Sequence, residues 1–209
     1  MEISVLAEGF LGANCYLLTS NGHALIVDPA ASLNAICDAL YADALVLDGI
    51  LLTHGHFDHL VNLAPLLSRF PVPVYLGEGD RDFPSDGRKN AFTILFGARR
   101  TFPNASNHLR DGDTVSCGDE VLHVIATPGH SGGSMCFYDE STHSLITGDT
   151  LLSDTVGRTD LYGGSSAAQR DSLRCLAELS KKDPQITIYP GHGTPTSLSS
   201  ALLAVEYLF

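Results

Sequence analysis

Four apolar runs of strand length, far apart in the chain, each break off at a histidine or aspartate beside a glycine, and no other feature limits the fold as much. Ile50 to Thr53 stops at His54, with Gly55 next. A run ending at Ala126 leads into Thr127-Pro128-Gly129-His130, Leu145-Ile146 into Thr147-Gly148-Asp149, and Ile186 to Tyr189 into Pro190-Gly191-His192. Glycine lets a backbone turn sharply or approach another group closely, which suits side chains that must converge.

The first of these ends is the richest. Thr53-His54-Gly55-His56-Phe57-Asp58-His59 holds three imidazoles and a carboxylate, donors that Zn²⁺, Fe²⁺ and Mn²⁺ accept without thiolate. His54 and His56 can share one side of an extended segment, whereas Asp58 and His59 need the turn to face elsewhere, a pattern that suggests two metal positions side by side. In a chain with nine histidines such a cluster alone decides little; the three other strand ends decide for metal. His23, His108, His123 and His143 fall in no such motif and read as surface or ordinary hydrogen-bonded residues.

Around these ends the chain reads as mixed α/β. Glu2 to Ala7, Asn14 to Thr19 and His23 to Asp28, the last after the turn dipeptide Asn21-Gly22, open it as an antiparallel sheet. Ser32 caps a helix marked by Leu33, Ile36, Ala39 and Leu40. Leu60 to Phe70 reads as helix, ended by Pro71 and Pro73, and Val72 to Leu76 as strand. Val121 to Ala126, Met135 to Tyr138, Ser144 to Thr147 and Ile186 to Tyr189 are further strands. Ser166-Ala167-Ala168-Gln169 has the form of a capping box before a helix that ends near Lys181 and Lys182, and Ser197 to Phe209 reads as a last helix. Two comparable halves, each ending in helix, are consistent with two sheets packed face to face under outer helices.

Length and charge narrow the class. The 209 residues, 44% hydrophobic, suffice for one ordinary globular domain spanning 1–209. A net charge of −12 argues against a nucleic-acid binder, and no stretch approaches the ~18 uninterrupted apolar residues of a membrane span. MEISVLAEGFLGANC lacks the basic start and long apolar middle of a signal peptide, so a cytoplasmic location is expected. Cys15, Cys37, Cys117, Cys136 and Cys175 are far apart and read as free thiols. From Gly87 to Arg110 the chain carries Arg88, Lys89, Arg99, Arg100 and Arg110 and no acid, so this stretch is +5 while the rest is −17.

THGHFDH, TPGH, TGD and PGHG, in that order, resemble the metal-binding motifs of the metallo-β-lactamase superfamily. Gly157-Arg158-Thr159-Asp160-Leu161-Tyr162-Gly163-Gly164, after Gly148-Asp149-Thr150-Leu151-Leu152, is similar to compact bacterial relatives of glyoxalase II (hydroxyacylglutathione hydrolase) and to the related persulfide dioxygenases. The resemblance implies an αββα sandwich with these loops at one edge. It implies that His54, His56 and His130 hold one metal, that Asp58, His59 and His192 hold the other, and that Asp149 bridges both.

The function expected from that resemblance is thioester hydrolysis of the glyoxalase II type, on hydroxyacyl-thiol conjugates, through a metal-bound hydroxide. Two divalent ions are expected, zinc first, with iron or manganese as alternatives. Asp58, beside the nucleophile, would accept its hydrogen bond as well as bind metal. Arg158 would contact a small anionic thioester, and the +5 stretch with Phe92, Phe96 and Phe102 would form a wall attracting it, or else a homodimer surface. Only 17 residues follow His192, so the helical domain that holds glutathione in longer glyoxalase II enzymes has no counterpart in this chain, and the thiol carrier is left open. Persulfide oxygenation at a single iron and lactone hydrolysis are the alternatives. Antibiotic hydrolysis is disfavoured, since Asp149 stands where the best-known zinc β-lactamases place a cysteine. The missing basic arm speaks against an RNA-processing nuclease.

Overall fold

A computed structural model describes residues 1–209, except for the side chains of Ala7 and Glu8. The first half runs β1 (Glu2–Glu8), β2 (Asn14–Ser20), β3 (His23–Val27), α1 (Leu33–Ala42), β4 (Val46–Leu51), α2 (Leu63–Arg69), β5 (Val74–Gly77), α3 (Phe92–Phe96) and β6 (Asn107–Leu109). The second runs β7 (Thr114–Cys117), β8 (Glu120–Ala126), β9 (Met135–Asp139), β10 (Ser144–Gly148), α4 (Ser166–Lys182), β11 (Thr187–Pro190), β12 (Thr196–Ser197) and α5 (Leu198–Ala204).

Each half makes one six-stranded mixed sheet. In the first, β1 to β6 lie in chain order, antiparallel from β1 to β3 and parallel from β3 to β6. The second has the order β12-β11-β10-β9-β8-β7, and β10–β11 is its parallel pair. Alternation along the strands creates the layers. Tyr16 and Leu18 of β2 face the second sheet, where they join Val124, Phe137 and Ile146, while Cys15 and Leu17 face Ile36 and Leu40 of α1 and Leu63 and Leu66 of α2. On the far side, Cys136, Leu145 and Ile188 pack against Leu173 and Leu176 of α4 and Leu198 of α5. The expected helix–sheet–sheet–helix sandwich is therefore the fold.

Several local expectations need correction. The first half closes on β6, not on a helix. β4 begins at Val46, because Asp48 and Gly49 interrupt the apolar run without interrupting the strand; Asp48 turns out to meet His23 Nδ1 at 2.9 Å. α2 starts three residues later than expected, since a 3-10 turn at Phe57–His59 takes up the preceding chain. Ser165, not Ser166, caps α4 by accepting from Ala168 N, and Gln169 donates to Thr150 O instead of closing a capping box. The last helix stops at Ala204 and gives way to a 3-10 turn over Glu206–Leu208. No helix among the described residues is long and apolar enough to cross a membrane.

All five cysteines are free, as expected. Burial pushes the thiols of Cys15 and Cys136 up to about 12, which keeps them protonated and inert.

Candidate metal centre

The strand ends meet. Beyond β4 the carbonyl of Thr53 accepts from Met135 N, so the two sheets are joined where the histidine segment begins. His54 follows in a bend and His56 in extended backbone, and the 3-10 turn swings Asp58 and His59 to another direction. β8 delivers His130, β10 delivers Asp149 and β11 delivers His192 to the same edge.

Three sets of donor atoms result, each within 4.8 Å: His54 with His56 and His130, Asp58 with His59 and His192, and His54 with His59 and Asp149. Asp149 lies between the first two. Its Oδ2 is 3.5 Å from His130 Nε2 and 3.6 Å from His192 Nε2, and its Oδ1 is 3.6 Å from His59 Nε2. The seven residues singled out in the sequence are thus brought together, and the other four histidines stay away from them.

Two glycines make the approach possible. Gly148 has φ +49, and a side chain there would meet Thr53 at 2.6 Å. A Cβ on Gly191 would lie 2.1 Å from Asp149 Oδ1 and 3.0 Å from the His59 ring.

The surroundings fix which imidazole nitrogen faces the cleft. His59 Nδ1 donates to Asp28 Oδ2 at 2.9 Å, and His130 Nδ1 donates to the Arg158 carbonyl at 2.7 Å. Thr53 Oγ1 donates to Asp28 at 2.7 Å and accepts from His54 Nδ1 at 3.0 Å. The opposite nitrogens of His54 and His59, together with Asp149 Oδ1, are buried without a hydrogen-bond partner among the described residues. Such orphaned lone pairs, held by partners behind the ring, fit a divalent cation.

Charge points the same way. Burial, reinforced by neighbouring imidazoles, holds His54 and His56 well below the usual histidine range, so both are neutral donors. Burial would also lower His59, but Asp58, Asp28 and Asp149 outweigh it and push its value up to about 10. Burial would raise Asp58, yet His59 and His192 hold its carboxyl below the ordinary range. The carboxylates of this edge attract positive charge, which protons or metal ions can supply.

Two residues that matter were missed in the sequence. Asp28, fully buried with φ +50, holds Thr53 and His59 from behind; it ends an apolar strand, as the other motifs do, but lacks their glycine. Asp80, also buried, accepts from Gly55 N, Ser131 Oγ and Gly133 N at 2.6–2.9 Å and so ties the His54–His59 and His130 loops together. Gly77-Glu78-Gly79-Asp80 follows the Val72 to Leu76 run as the other motifs follow theirs, which is the signal that could have found it.

A cavity of about 260 Å³ opens over the cluster, with His56, Asp58, His130, Asp149 and His192 at its floor and Phe57, Leu95, Leu152, Val156 and Leu161 on its walls. Arg158 stands at the rim, its guanidinium in a two-pronged contact with Asp160 at 2.6 and 2.7 Å. The +5 stretch does not form the cationic wall expected of it. It gives the cavity Ala91 and Leu95 and none of its cations: Arg110 pairs with Glu78, Lys89 lies 3.7 Å from Asp82, and Arg100 stacks on Phe92 and Phe102.

Two mixed sheets packed face to face under helices, with imidazoles and carboxylates gathered at one edge, define a class of metal-binding α/β proteins. The chain belongs to the metallo-β-lactamase superfamily, whose model matches residues 9–192. Among curated relatives it is 34% identical to the probable metallo-hydrolase YqgX of Bacillus subtilis, over 91% of this chain and 89% of the other. It is 32% identical to the probable polyketide biosynthesis zinc-dependent hydrolase BaeB of Bacillus velezensis, over 85% and 72%. Among solved structures it resembles BLEG-1, named a B3 metallo-β-lactamase, with TM-score 0.90, 29% identity and 99% of both chains covered. TTHA1623 in a di-iron-bound form gives TM-score 0.81 and 30% identity over 94% and 96%. ETHE1 from Myxococcus xanthus gives TM-score 0.73 and 26% identity over 95% and 80%.

Proposed function

We propose that this chain is a metallo-hydrolase that cleaves thioesters of the glyoxalase II type at a pair of divalent ions. The observation that carries the reading is the division of seven donors into two sets of three on either side of Asp149, more than one tetrahedral or octahedral ion needs. His54, His56 and His130 would hold one ion, Asp58, His59 and His192 the other, with Asp149 available to both. Zinc is the first choice, supported by the name of BaeB, and iron the second, supported by the di-iron form of TTHA1623.

Bound there, the ions supply Lewis acidity toward a carbonyl oxygen and an acidified water at neutral pH. The chain does the rest. Asp58, kept ionised by His59 and His192, accepts the hydrogen bond of the attacking water and orients it. Phe57, Leu95 and Leu161 exclude other water from the reacting carbon. Arg158 at the rim meets an anionic group of the thiol carrier, with Asp160 holding the guanidinium in place.

A second reading, persulfide oxygenation at a single iron, takes some support from the likeness to ETHE1. It uses only part of the donor set, whereas hydrolysis uses all of it. The test is an anaerobic assay of zinc-reconstituted protein on a 2-hydroxyacyl thioester, with thiol released one for one and metal content near two per chain. Oxygen uptake with a persulfide, dependence on Fe²⁺ and indifference to thioesters would replace the hydrolase reading. Because BLEG-1 is named a β-lactamase, a chromogenic cephalosporin belongs in the same assay. Turnover of it in preference to the thioester would move the substrate class to lactams.

A further inference from the structure

The stretch between β5 and β6 presents to solvent what a folded chain usually hides. α3 has no buried side chain; Ile94 is 57% exposed, and Leu95 and Phe96 are each 47% exposed. Beside it, in the turn between β1 and β2, Phe10 is 49% and Leu11 56% exposed. These residues form one surface, because the Phe10 ring lies 6.1 Å from both Phe96 and Phe57, and Phe57 lies 5.6 Å from Phe96.

That surface is continuous with the cavity. Leu95 lines the cavity wall and also belongs to the exposed patch, while the buried Phe57 lines the cavity from beneath the Phe10 and Phe96 rings; Phe57 N donates to the Asn90 carbonyl, which pins the α3 segment to the histidine-bearing loop. Ala91, in the cavity wall, has φ +67, and Leu11, on the exposed patch, has φ +58. At about 260 Å³ the cavity is smaller than the 300–1,000 Å³ typical of drug-sized ligands, so an extended substrate must continue outside it.

We propose that the Phe10-Leu11 and Ile94-Leu95-Phe96 surface seats the apolar chain of the substrate's acyl group, which makes this a hydrolase of long-chain or aryl hydroxyacyl thioesters. The inference rests on the thioesterase reading above and adds the acyl class to it. The carrier's anionic group goes to Arg158, on the separate wall formed by residues 152–161, while the acyl chain runs out over α3. The cations of the α3 stretch do not oppose this, since Arg100 lies over the Phe92 and Phe102 rings and none lines the cavity.

The test compares lactoyl and 2-hydroxyoctanoyl thioesters of N-acetylcysteamine in the metal-loaded protein. Each added methylene that leaves water favours binding, so kcat/KM for the longer substrate is expected to exceed that of the shorter by about tenfold or more. Leu11→Asn and Ile94→Asn should each pull the ratio toward one. Both sites are exposed, and asparagine tolerates the left-handed backbone at position 11, so folding is not at stake. A wild-type ratio near one, or a ratio that neither variant changes, overturns the proposal. Should light scattering show a dimer that Ile94→Asn separates while the ratio stays put, the surface is a contact between copies and the proposal falls. If neither thioester is hydrolysed, the thioesterase reading fails, and the seat is judged on binding alone. Tighter binding of 2-hydroxyoctanoate than of lactate, with amide shifts at Ile94 to Gly97, upholds it, and equal binding without those shifts rejects it.

Discussion

At the scale of single residues, the site is sensitive to atoms that carry no chemistry. Replacing Gly191 by Ala puts a methyl group 2.1 Å from Asp149 Oδ1, against backbone fixed by the Gly191 N to Gly148 O hydrogen bond. The carboxylate must move; a loss of about one metal ion per chain and at least about a hundredfold in turnover is expected, read by elemental analysis and kinetics. Replacing Asp58 by Ala acts differently. The residue faces the cleft, so circular dichroism should be unchanged while activity falls by about two to three orders of magnitude, and near-wild-type activity would remove Asp58 from the mechanism. The candidate ligands were legible in the sequence because each belongs to a motif in which an apolar run ends beside a glycine. Asp28 ends such a run without a glycine, and the partners that give Asp28 and Asp80 their roles, Gly55, Ser131 and His59, are known only once the chain has folded.

At the scale of elements, strands were easier to read than their limits. β6, β7 and β12 are two to four residues long and carry too little alternation to be seen. Ser165 and Ser166 are chemically alike, and only the extended backbone of Ser165 makes it the cap of α4. The other end of α4 yields a prediction. Asp183 Oδ2 accepts from Tyr138 Oη at 2.7 Å and from His143 Nδ1 at 2.6 Å, tying the helix terminus to β9 and to the start of β10. Burial would raise this carboxyl, but the His143 and Tyr138 hydrogen bonds hold it below its ordinary value. A depressed folded value means that the ionised form stabilises the fold above the ordinary carboxylate range of about 4 and that this contribution disappears as pH falls through the folded value. Asp183→Asn should therefore be less stable than wild type at neutral pH and should converge with it in acid, measured by urea unfolding at a series of pH values.

At the scale of the whole molecule, the candidate ligands come from both sheets: His54 to His59 follow β4, whereas His130, Asp149 and His192 follow strands of the other sheet. Ions held there bridge the two halves, so their free energy of binding adds to the stability of the sandwich. Chelation is expected to lower Tm by several degrees, about 2–4 °C for each kcal/mol lost in a chain of this size, and differential scanning calorimetry with and without metal reads it. An unchanged Tm would mean that the ions do not join the halves. The layered fold could be inferred from the sequence because strands and helices fall into two comparable halves, although the first closes on β6, whereas the partition of charge could not: five cations in one stretch suggested a cationic wall, but none of them lines the cavity, Arg110 being paired with Glu78 and Arg100 stacked on Phe102.

The second edge of the site is closed by the beginning of the chain. Asn14 Nδ2 donates to the carbonyls of Pro190 and Gly193 at 2.9 and 2.8 Å, and Asn14 N donates to Gly191 O, across as many as 179 residues. In kinetic terms this is a contact of very high sequence separation, whose loop-closure entropy must be met before it forms. On the ribosome, His54, His56 and His130 are synthesised well before His192, so a growing chain can gather its first three donors while the second set still lacks a member. The His192 loop can be locked by Asn14 only when synthesis has passed Gly193, so this side of the candidate site is the last to be completed.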